Sequence, residues 1–319
     1  MFSKKIKFQY FRVFMQEQKG ESVYDLRRWI NNLGDCELQN RNTKINGYTS
    51  RLENIEILPN NNNRYVAMRF MKLVDSYLPH MSYENKESIA LELNEDEYLG
   101  KDVNCIYDAN HYIIMIQNNR ASLNITSLQT YINETSIKLG LINENQSIAL
   151  KPIASCIDPR NLKRVQYRRF TVSFANYRRL FNGEKNDIEK LIDTFNQYES
   201  YTATIIFGLG HQWRNNSLDS DKVNHTIDYL YDNKELISSA KVEYSVGEKV
   251  EIFDLLDNII YSSIIFHLEK KSSLGFDYAK TRMYEEYVNK LPLILNSLKV
   301  RSEIENEEKQ QQNLEPSII

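Results

Sequence analysis

Cysteine is scarce in this sequence. The three cysteines, Cys36, Cys105 and Cys156, are far apart, and none belongs to a CxxC or CxxH pair. An odd number of widely spaced cysteines argues against a disulfide framework and against a structural zinc site. The pattern is typical of reduced thiols in a cytoplasmic protein.

Long apolar runs are also missing. The nearest, "IIYSSIIF" at 259–266, is far short of the roughly 18 apolar residues of a membrane-spanning helix. The basic start, "MFSKKIKFQYFRVF", alternates apolar and polar residues, and this predicts a strand and not a signal peptide. We expect a cytoplasmic protein, unless a partner recruits it to a membrane.

Motifs that announce a catalytic activity are absent. The sequence has no GxxxxGK[ST], GxSxG or HExxH, and its five histidines are isolated. We therefore expect neither a metal ion nor another cofactor. A metal-dependent nuclease needs carboxylates near a lysine on paired strands, and "GEKVEIFD" and "LDSDK" match this need only loosely. Enzymatic activity is left open, and a non-catalytic protein is preferred.

Strand patterns come in groups with helices interspersed, and no regular βαβα alternation runs through the chain. This predicts an α+β fold with mixed, largely antiparallel sheets and a helical C-terminus. "CIDPRNLKR" interrupts the apolar pattern. The predicted regions are an N-terminal α+β region at 1–158, a C-terminal α+β region at 159–299 and a disordered tail at 300–319. A single domain is the alternative.

Local signals predict how individual elements begin and end. Ser22 and Asn124 have side chains suited to capping a helix. "YTATIIFGL", from residue 201, is short and β-branched, and we predict a buried strand. Pro292 lies within an apolar helical pattern and predicts a kink or a break. The polar "EIENEEKQQQNLEP" predicts the disordered tail.

The formal net charge of -3 gives the chain no general attraction to phosphate, so a nucleic-acid surface must be a local patch. Such a patch is concentrated between residues 160 and 185. Arginine suits phosphate because its planar fork donates two hydrogen bonds. The predicted nucleic-acid-binding residues of this stretch are Arg160, Lys163, Arg164, Arg168, Arg169, Arg178 and Arg179.

An opposite charge is concentrated between residues 84 and 102. The carboxylates are Glu84, Glu87, Glu92, Glu95, Asp96, Glu97 and Asp102. They lack the spacing and the glycine of a calcium loop, so we interpret them as a solvated acidic loop. The alternative to phosphate binding is that the 160–185 arginines pair with these carboxylates, within one chain or across a dimer.

Arg120 stands in "IIMIQNNRASLNITSLQTYIN", residues 113–133. The change of apolar period within this stretch predicts a strand, a polar turn and a capped helix. Arg120 is predicted to add a phosphate contact at the turn. The alternative, that the polar run only turns a corner, is preferred.

Several pieces of the sequence resemble the prophage-encoded exclusion and antiviral proteins typified by the Rex-type DNA-binding proteins. They are "KIKFQYFRVF", "SVYDLRRWI" and "LNEDEYLGKDVNCIYDANHYIIMIQNNRASLNITSLQTYIN", in this order. The resemblance implies an α+β homodimer that binds duplex DNA without sequence preference. It also implies one half of a phage-defence pair, beside a membrane protein encoded nearby.

The sequence thus predicts a non-catalytic, sequence-nonspecific nucleic-acid-binding component of an antiphage defence or prophage exclusion system, with DNA favoured. Two alternatives stay open. One is a metal-dependent nuclease effector of such a system. The other is a protein-interaction subunit whose charged patches contact a partner.

Overall fold

The structure is a computed structural model. It describes residues 2–18, 20–58, 64–155, 159–161, 164–175, 202–210, 216–232, 237–247, 249–256 and 259–312. Strands are numerous and pair antiparallel in every sheet, and helices are interspersed among them. The predicted α+β fold with a helical C-terminus is confirmed.

Among the described residues, the α-helices are α1 (Arg27–Gly34), α2 (Ile125–Lys138), α3 (Ser220–Asp232) and α4 (Phe276–Gln312). The first strands are β1 (Phe2–Glu17), β2 (Gly20–Val23), β3 (Thr43–Ile45), β4 (Tyr48–Ile57), β5 (Tyr65–Val74), β6 (His80–Met81), β7 (Ile89–Ala90) and β8 (Leu99–Asp108). The remaining strands are β9 (Ile113–Gln117), β10 (Ser147–Pro152), β11 (Gln166–Ala175), β12 (Thr202–Gly208), β13 (Ile237–Val246), β14 (Lys249–Asp254) and β15 (Tyr261–Leu268).

The chain divides into two compact units, and the division differs from the predicted one. Unit 1 comprises residues 1–153 and 260–295, and unit 2 comprises 154–259 and 296–319. Residues 260–295 belong to unit 1 because β15 pairs with β1, from Phe2 opposite Leu268 to Gln9 opposite Tyr261. Sequence order alone gave no sign that the chain returns to its first strand.

Strand β1 organises the nine-stranded sheet of unit 1. This long strand pairs with β15, β10, β9 and β2. Beyond β9, the sheet continues through β8, β5 and β4 to β3. Since side chains alternate between the faces of a strand, β1 contributes to two separate packed layers. Phe11 and Val13 lie on one face, and Phe8 and Tyr10 lie on the other.

Helices α1 and α2 cover the first face. Trp29 of α1 is fully buried, stacks on Phe70 and donates from its indole nitrogen to the Thr135 hydroxyl at 2.9 Å. The hydroxyl of Tyr131 donates to the Arg41 carbonyl oxygen at 2.7 Å. The large aromatic rings therefore fill this layer while their polar ends are hydrogen-bonded.

The two predicted helix caps have different outcomes. Asn124 caps α2, because its side-chain oxygen accepts from the Ser127 backbone N–H at 2.8 Å. Ser22 is not a cap: it lies in β2, opposite Met15, and α1 begins only at Arg27. The ladder with the end of β1 keeps residues 20–23 extended and delays the helix.

Helix α4 covers the second face of the sheet, and a buried ionic cluster ties the sheet to it. Asp108, with no exposed side-chain surface, accepts from the Nε and Nη2 atoms of Arg64, each at 3.1 Å. The Nδ1 atom of His111 lies 2.8 Å from the same carboxylate. The hydroxyl of Tyr287, on α4, donates to it at 3.0 Å. Partners on three sides satisfy the buried charge.

Unit 2 contains a four-stranded sheet in the order β12-β11-β13-β14, and α3 packs on one face. Strand β12 lies at its edge and corresponds to the predicted buried strand. That prediction is wrong, because Ile205 alone is buried among residues 202–208, and Ile206 is 62% exposed. An edge strand with one open face exposes β-branched residues that the sequence pattern assigns to a core.

Helix α4 continues through Pro292 to Gln312 without a break. Residues 300–312 of the predicted tail thus belong to this helix, and residues 313–319 lie outside the described residues. The segment from Arg301 to Gln312 is rich in glutamate and glutamine and has neither glycine nor proline. These residue types favour helix.

Replacing Asp108 with asparagine is expected to destabilise the protein by about 3–5 kcal/mol, because Arg64 keeps a half-buried charge without its counterion. Urea denaturation measures this loss. Asp96→Asn, at an exposed position, is the control and should change the free energy of unfolding by less than about 0.5 kcal/mol. Equal stability of Asp108→Asn and the wild type would contradict a structural role for the cluster.

The same cluster predicts a pH dependence. Burial alone would raise the pKa of Asp108, but the hydrogen bonds from Arg64 and His111 outweigh it and hold the pKa below its usual value. A lowered pKa means that the carboxylate contributes stability above the unfolded-state pKa, near 3.9. That contribution is lost as the pH falls towards the lower folded-state pKa. Acid titrations of stability should show this loss in the wild type and not in Asp108→Asn.

Candidate nucleic-acid interface

Arg160, the first of the predicted phosphate-binding arginines, contacts its own unit. Its Nη1 atom forms an ion pair with Asp228 of α3, and its guanidinium lies 4.8 Å from the centre of the Tyr231 ring. The side chain is only 26% exposed. Arg160 therefore helps to attach the segment before β11 to α3.

Arg168 and Arg169 lie at a bulge where β11 shifts its register against β13. Arg168 donates from Nε to the Ser245 hydroxyl at 2.9 Å, and Arg169 lies 3.7 Å from the Glu243 carboxylate. Ser245 and Glu243 are two residues apart on β13 and share a face. The bulge thus directs two consecutive arginines to the sheet face opposite α3.

The two arginines differ in how firmly they are bound. Arg168 also donates to the Gln166 side chain at 2.5 Å and to the Asn216 carbonyl at 2.8 Å, so all three of its guanidinium nitrogens are bonded. Arg169 is 55% exposed. Arg168 is thus a structural residue, whereas Arg169 extends into solvent beside an acid.

Of the other predicted members of this stretch, Arg164 is the one that lies among the described residues. Arg164 is exposed at a turn with φ of 60°. Lys163, Arg178 and Arg179 lie outside the described residues. In the part of the stretch that the structure describes, the carboxylates paired with arginines are Asp228 and Glu243 of the same unit, and not members of the 84–102 group.

A second group of cations, in unit 1, is brought together by strand register. Gln9 of β1 and Cys105 of β8 both pair with Ile116 of β9. Since β1 and β8 run in the same direction, Lys5 and Lys101, each four residues earlier, lie at the same level. Two strand spacings separate them by roughly 9–10 Å. By alternation, Lys5, Lys7 and Lys101 lie on the sheet face that α1 and α2 cover further along.

Arg120 lies in the gap between these strands. Strand β9 ends at Gln117, and the turn that follows is bonded on both sides. Its Asn118 N–H donates to the Lys7 carbonyl at 2.9 Å, and its Asn119 side chain donates to the Asp102 carbonyl at 2.8 Å. The predicted turn is confirmed, and it holds Arg120 between two lysine-bearing strands.

We call Lys5, Lys7, Lys101 and Arg120 the basic patch. All four side chains are exposed. Within the described ranges, no ion pair joins any of them to a carboxylate. Lys7 lies 5.5 Å above the Tyr261 ring, which orients the side chain and leaves its charge uncompensated. The patch can donate hydrogen bonds to several phosphate oxygens at once.

Sequence reasoning found Arg120 and missed the three lysines. Lys5 and Lys7 carry a recognisable signal, since alternate positions of a predicted strand share one face. Lys101 carries none, because its place beside them depends on the strand order β1-β9-β8. That order joins segments about a hundred residues apart.

Two other kinds of site, a metal site and a cavity, were considered within the described residues. No three His, Cys, Asp or Glu side chains come together there as a group suited to a metal ion. A polar cavity of about 640 Å³ between α1 and β4 has Arg41 in its wall. Arg41 donates to the carbonyl oxygens of Cys36, Gly34 and Leu52. Each of its three guanidinium nitrogens is therefore bonded to the backbone.

Arg168→Ala is expected to lower the free energy of unfolding by about 1.5–3 kcal/mol, since it removes charged hydrogen bonds from a half-buried side chain. Arg169→Ala should cost less than about 1 kcal/mol, because its ion pair is exposed. Chemical denaturation of the two matched variants measures the difference. Equal losses would contradict the distinction between a structural and a solvent-directed arginine.

Three further findings concern the helices of the chain and its similarity to known proteins. None of the helices in the described ranges is both long and apolar enough to cross a membrane. No curated protein matches the chain. Residues 1–298 match a profile described as "Family of unknown function (DUF6731)", and nothing in that description bears on the Rex-type resemblance. The match covers nearly all of the 319 residues, and the chain therefore belongs to the DUF6731 family.

Proposed function

We propose that this protein binds nucleic acid through the phosphate backbone, and that the basic patch of unit 1 makes the principal contact. One observation carries the proposal. Four exposed cations converge at one end of the large sheet without an ion pair to any described carboxylate, whereas Arg160 and Arg169 pair with acids of their own unit. An uncompensated positive surface is what a polyanion requires.

The chemistry of the patch favours binding without sequence preference. Lysine ammonium groups make point contacts to phosphate oxygens and carry no information about base identity. Each phosphate that a cation neutralises releases a counterion, so binding weakens steeply as salt increases. DNA is favoured on the strength of the Rex-type resemblance, and a place in antiphage defence or prophage exclusion rests on that resemblance alone.

The predicted arginine stretch remains a proposed secondary contact. Arg164 and Arg169 are its exposed members among the described residues. Each would add a phosphate contact of its own. A metal-dependent nuclease is the alternative from another class, and it predicts cleavage where the preferred function predicts binding alone.

The test uses fluorescently labelled duplex DNA and a series of salt concentrations. The wild type should bind with an affinity that falls steeply with salt. Lys5→Glu with Lys7→Glu should weaken binding at least tenfold and reduce the salt slope by about 2, since two phosphate contacts are lost. Lys44→Glu with Lys222→Glu makes the same charge change at exposed positions outside the patch and should have a much smaller effect.

Further outcomes separate the alternatives. If Arg164→Glu with Arg169→Glu abolishes binding while the patch variant binds normally, the arginine stretch is the principal contact and the patch is not. Failure of the wild type to bind duplex DNA, single-stranded DNA or RNA at low salt overturns the proposed function. Cleavage on addition of magnesium or manganese identifies a nuclease.

A further inference from the structure

The segment between β5 and β8, residues 75–98, has an unusual surface. We call it the acidic excursion. Its regular structure is limited to the two-residue strands β6 and β7, which pair with each other. Large apolar side chains stand in solvent along it: Tyr77 is completely exposed, Met81 is 44% exposed and Ile89 is 50% exposed. Tyr83 and Tyr98 are exposed as well.

The charge of the acidic excursion is strongly one-sided. The segment contains one lysine, Lys86, which lies 3.7 Å above the Tyr83 ring. It contains seven carboxylates: Asp75, Glu84, Glu87, Glu92, Glu95, Asp96 and Glu97. In the described ranges, none of the seven carboxylates forms an ion pair. The hydrogen bonds that order the segment are local, such as Ser82 with Ser88 and the Asn94 N–H with Glu97.

The acidic excursion and the basic patch belong to the same unit and lie at the same end of its sheet. The excursion leaves β5 after Val74, which pairs with Leu99, the first residue of β8. Lys101 of the basic patch follows two residues later. Unit 1 therefore presents an uncompensated negative surface beside an uncompensated positive one.

We propose that two copies of this chain associate so that the acidic excursion of each lies on the basic patch of the other. A two-fold symmetric interface uses the same surface on both subunits and must be self-complementary. Adjacent patches of opposite charge meet that requirement, because a half-turn places each against its complement. The exposed Met81 and Ile89 supply the apolar area that charge pairing alone does not provide.

This association uses the basic patch and so goes beyond the proposed function without resting on it. Where both occur, the excursion of a second copy and nucleic acid exclude each other from the same four cations. The dimer would then cover the basic patch, and a polyanion that binds the patch would displace the second copy.

Sedimentation velocity tests the association on the full chain without nucleic acid. The wild type should form a dimer at low salt that dissociates as salt increases. An excursion variant, Glu84→Lys with Glu87→Lys and Glu92→Lys, and a patch variant, Lys5→Glu with Lys7→Glu, should each be monomeric, with a dimer dissociation constant raised at least tenfold. Circular dichroism verifies that both variants are folded.

Mixing the two variants is the decisive step. In a mixed pair, each contact again joins a positive to a negative surface, so an equimolar mixture should form a heterodimer. Met81→Ser with Ile89→Ser should weaken the wild-type dimer without altering its salt dependence. A wild type that is monomeric at low salt, or folded variants that fail to associate when mixed, would overturn the proposal.

The outcome is separable from that of the proposed function. The excursion variant keeps the whole basic patch, so it should bind labelled DNA at least as tightly as the wild type. A chain that dimerises but binds no DNA keeps this inference and loses the proposed function. A chain that binds DNA but never dimerises keeps the proposed function and loses this inference.

Discussion

The backbone ladder of β1 is the interaction on which the rest of unit 1 depends. A single strand satisfies its hydrogen bonds with β15, β10, β9 and β2, and its two faces enter two different layers. The cluster around Asp108 acts on the second layer, where it ties the sheet to α4 through Tyr287. The ladder sets the order of the strands, and the buried carboxylate then secures the helix against them.

The basic patch follows from that ladder and not from a motif. Alternation in β1 places Lys5 and Lys7 on one face, and this much is readable in the sequence. The same is true of the turn around Arg120, because Asn124 marks the start of the next helix. The position of Lys101 beside them is set by which strands are neighbours. Sequence patterns describe strands one at a time and contain no direct record of their order.

A high density of arginine in the sequence, as between residues 160 and 185, does not by itself make a positively charged surface. Arg160 bonds to Asp228, 68 residues away, and Arg168 bonds to Ser245, 77 residues away. Neither partner is suggested by its spacing. A cation satisfied by a distant acid or hydroxyl adds little to the external field, whereas isolated lysines on an unremarkable strand contribute in full.

The pairing of β1 with β15 also has a consequence during synthesis. The side chains of Ser3 and His267 are hydrogen-bonded partners 264 residues apart. A ribosome adding about 5–20 residues per second needs roughly 13–53 s to make that interval. Throughout it, the first half of β1 is a strand edge awaiting its neighbour, and such edges are prone to pair with other chains. Lys4, Lys5 and Lys7 charge this edge, and charged side chains discourage such pairing. Two of these lysines, Lys5 and Lys7, also belong to the basic patch of the finished protein.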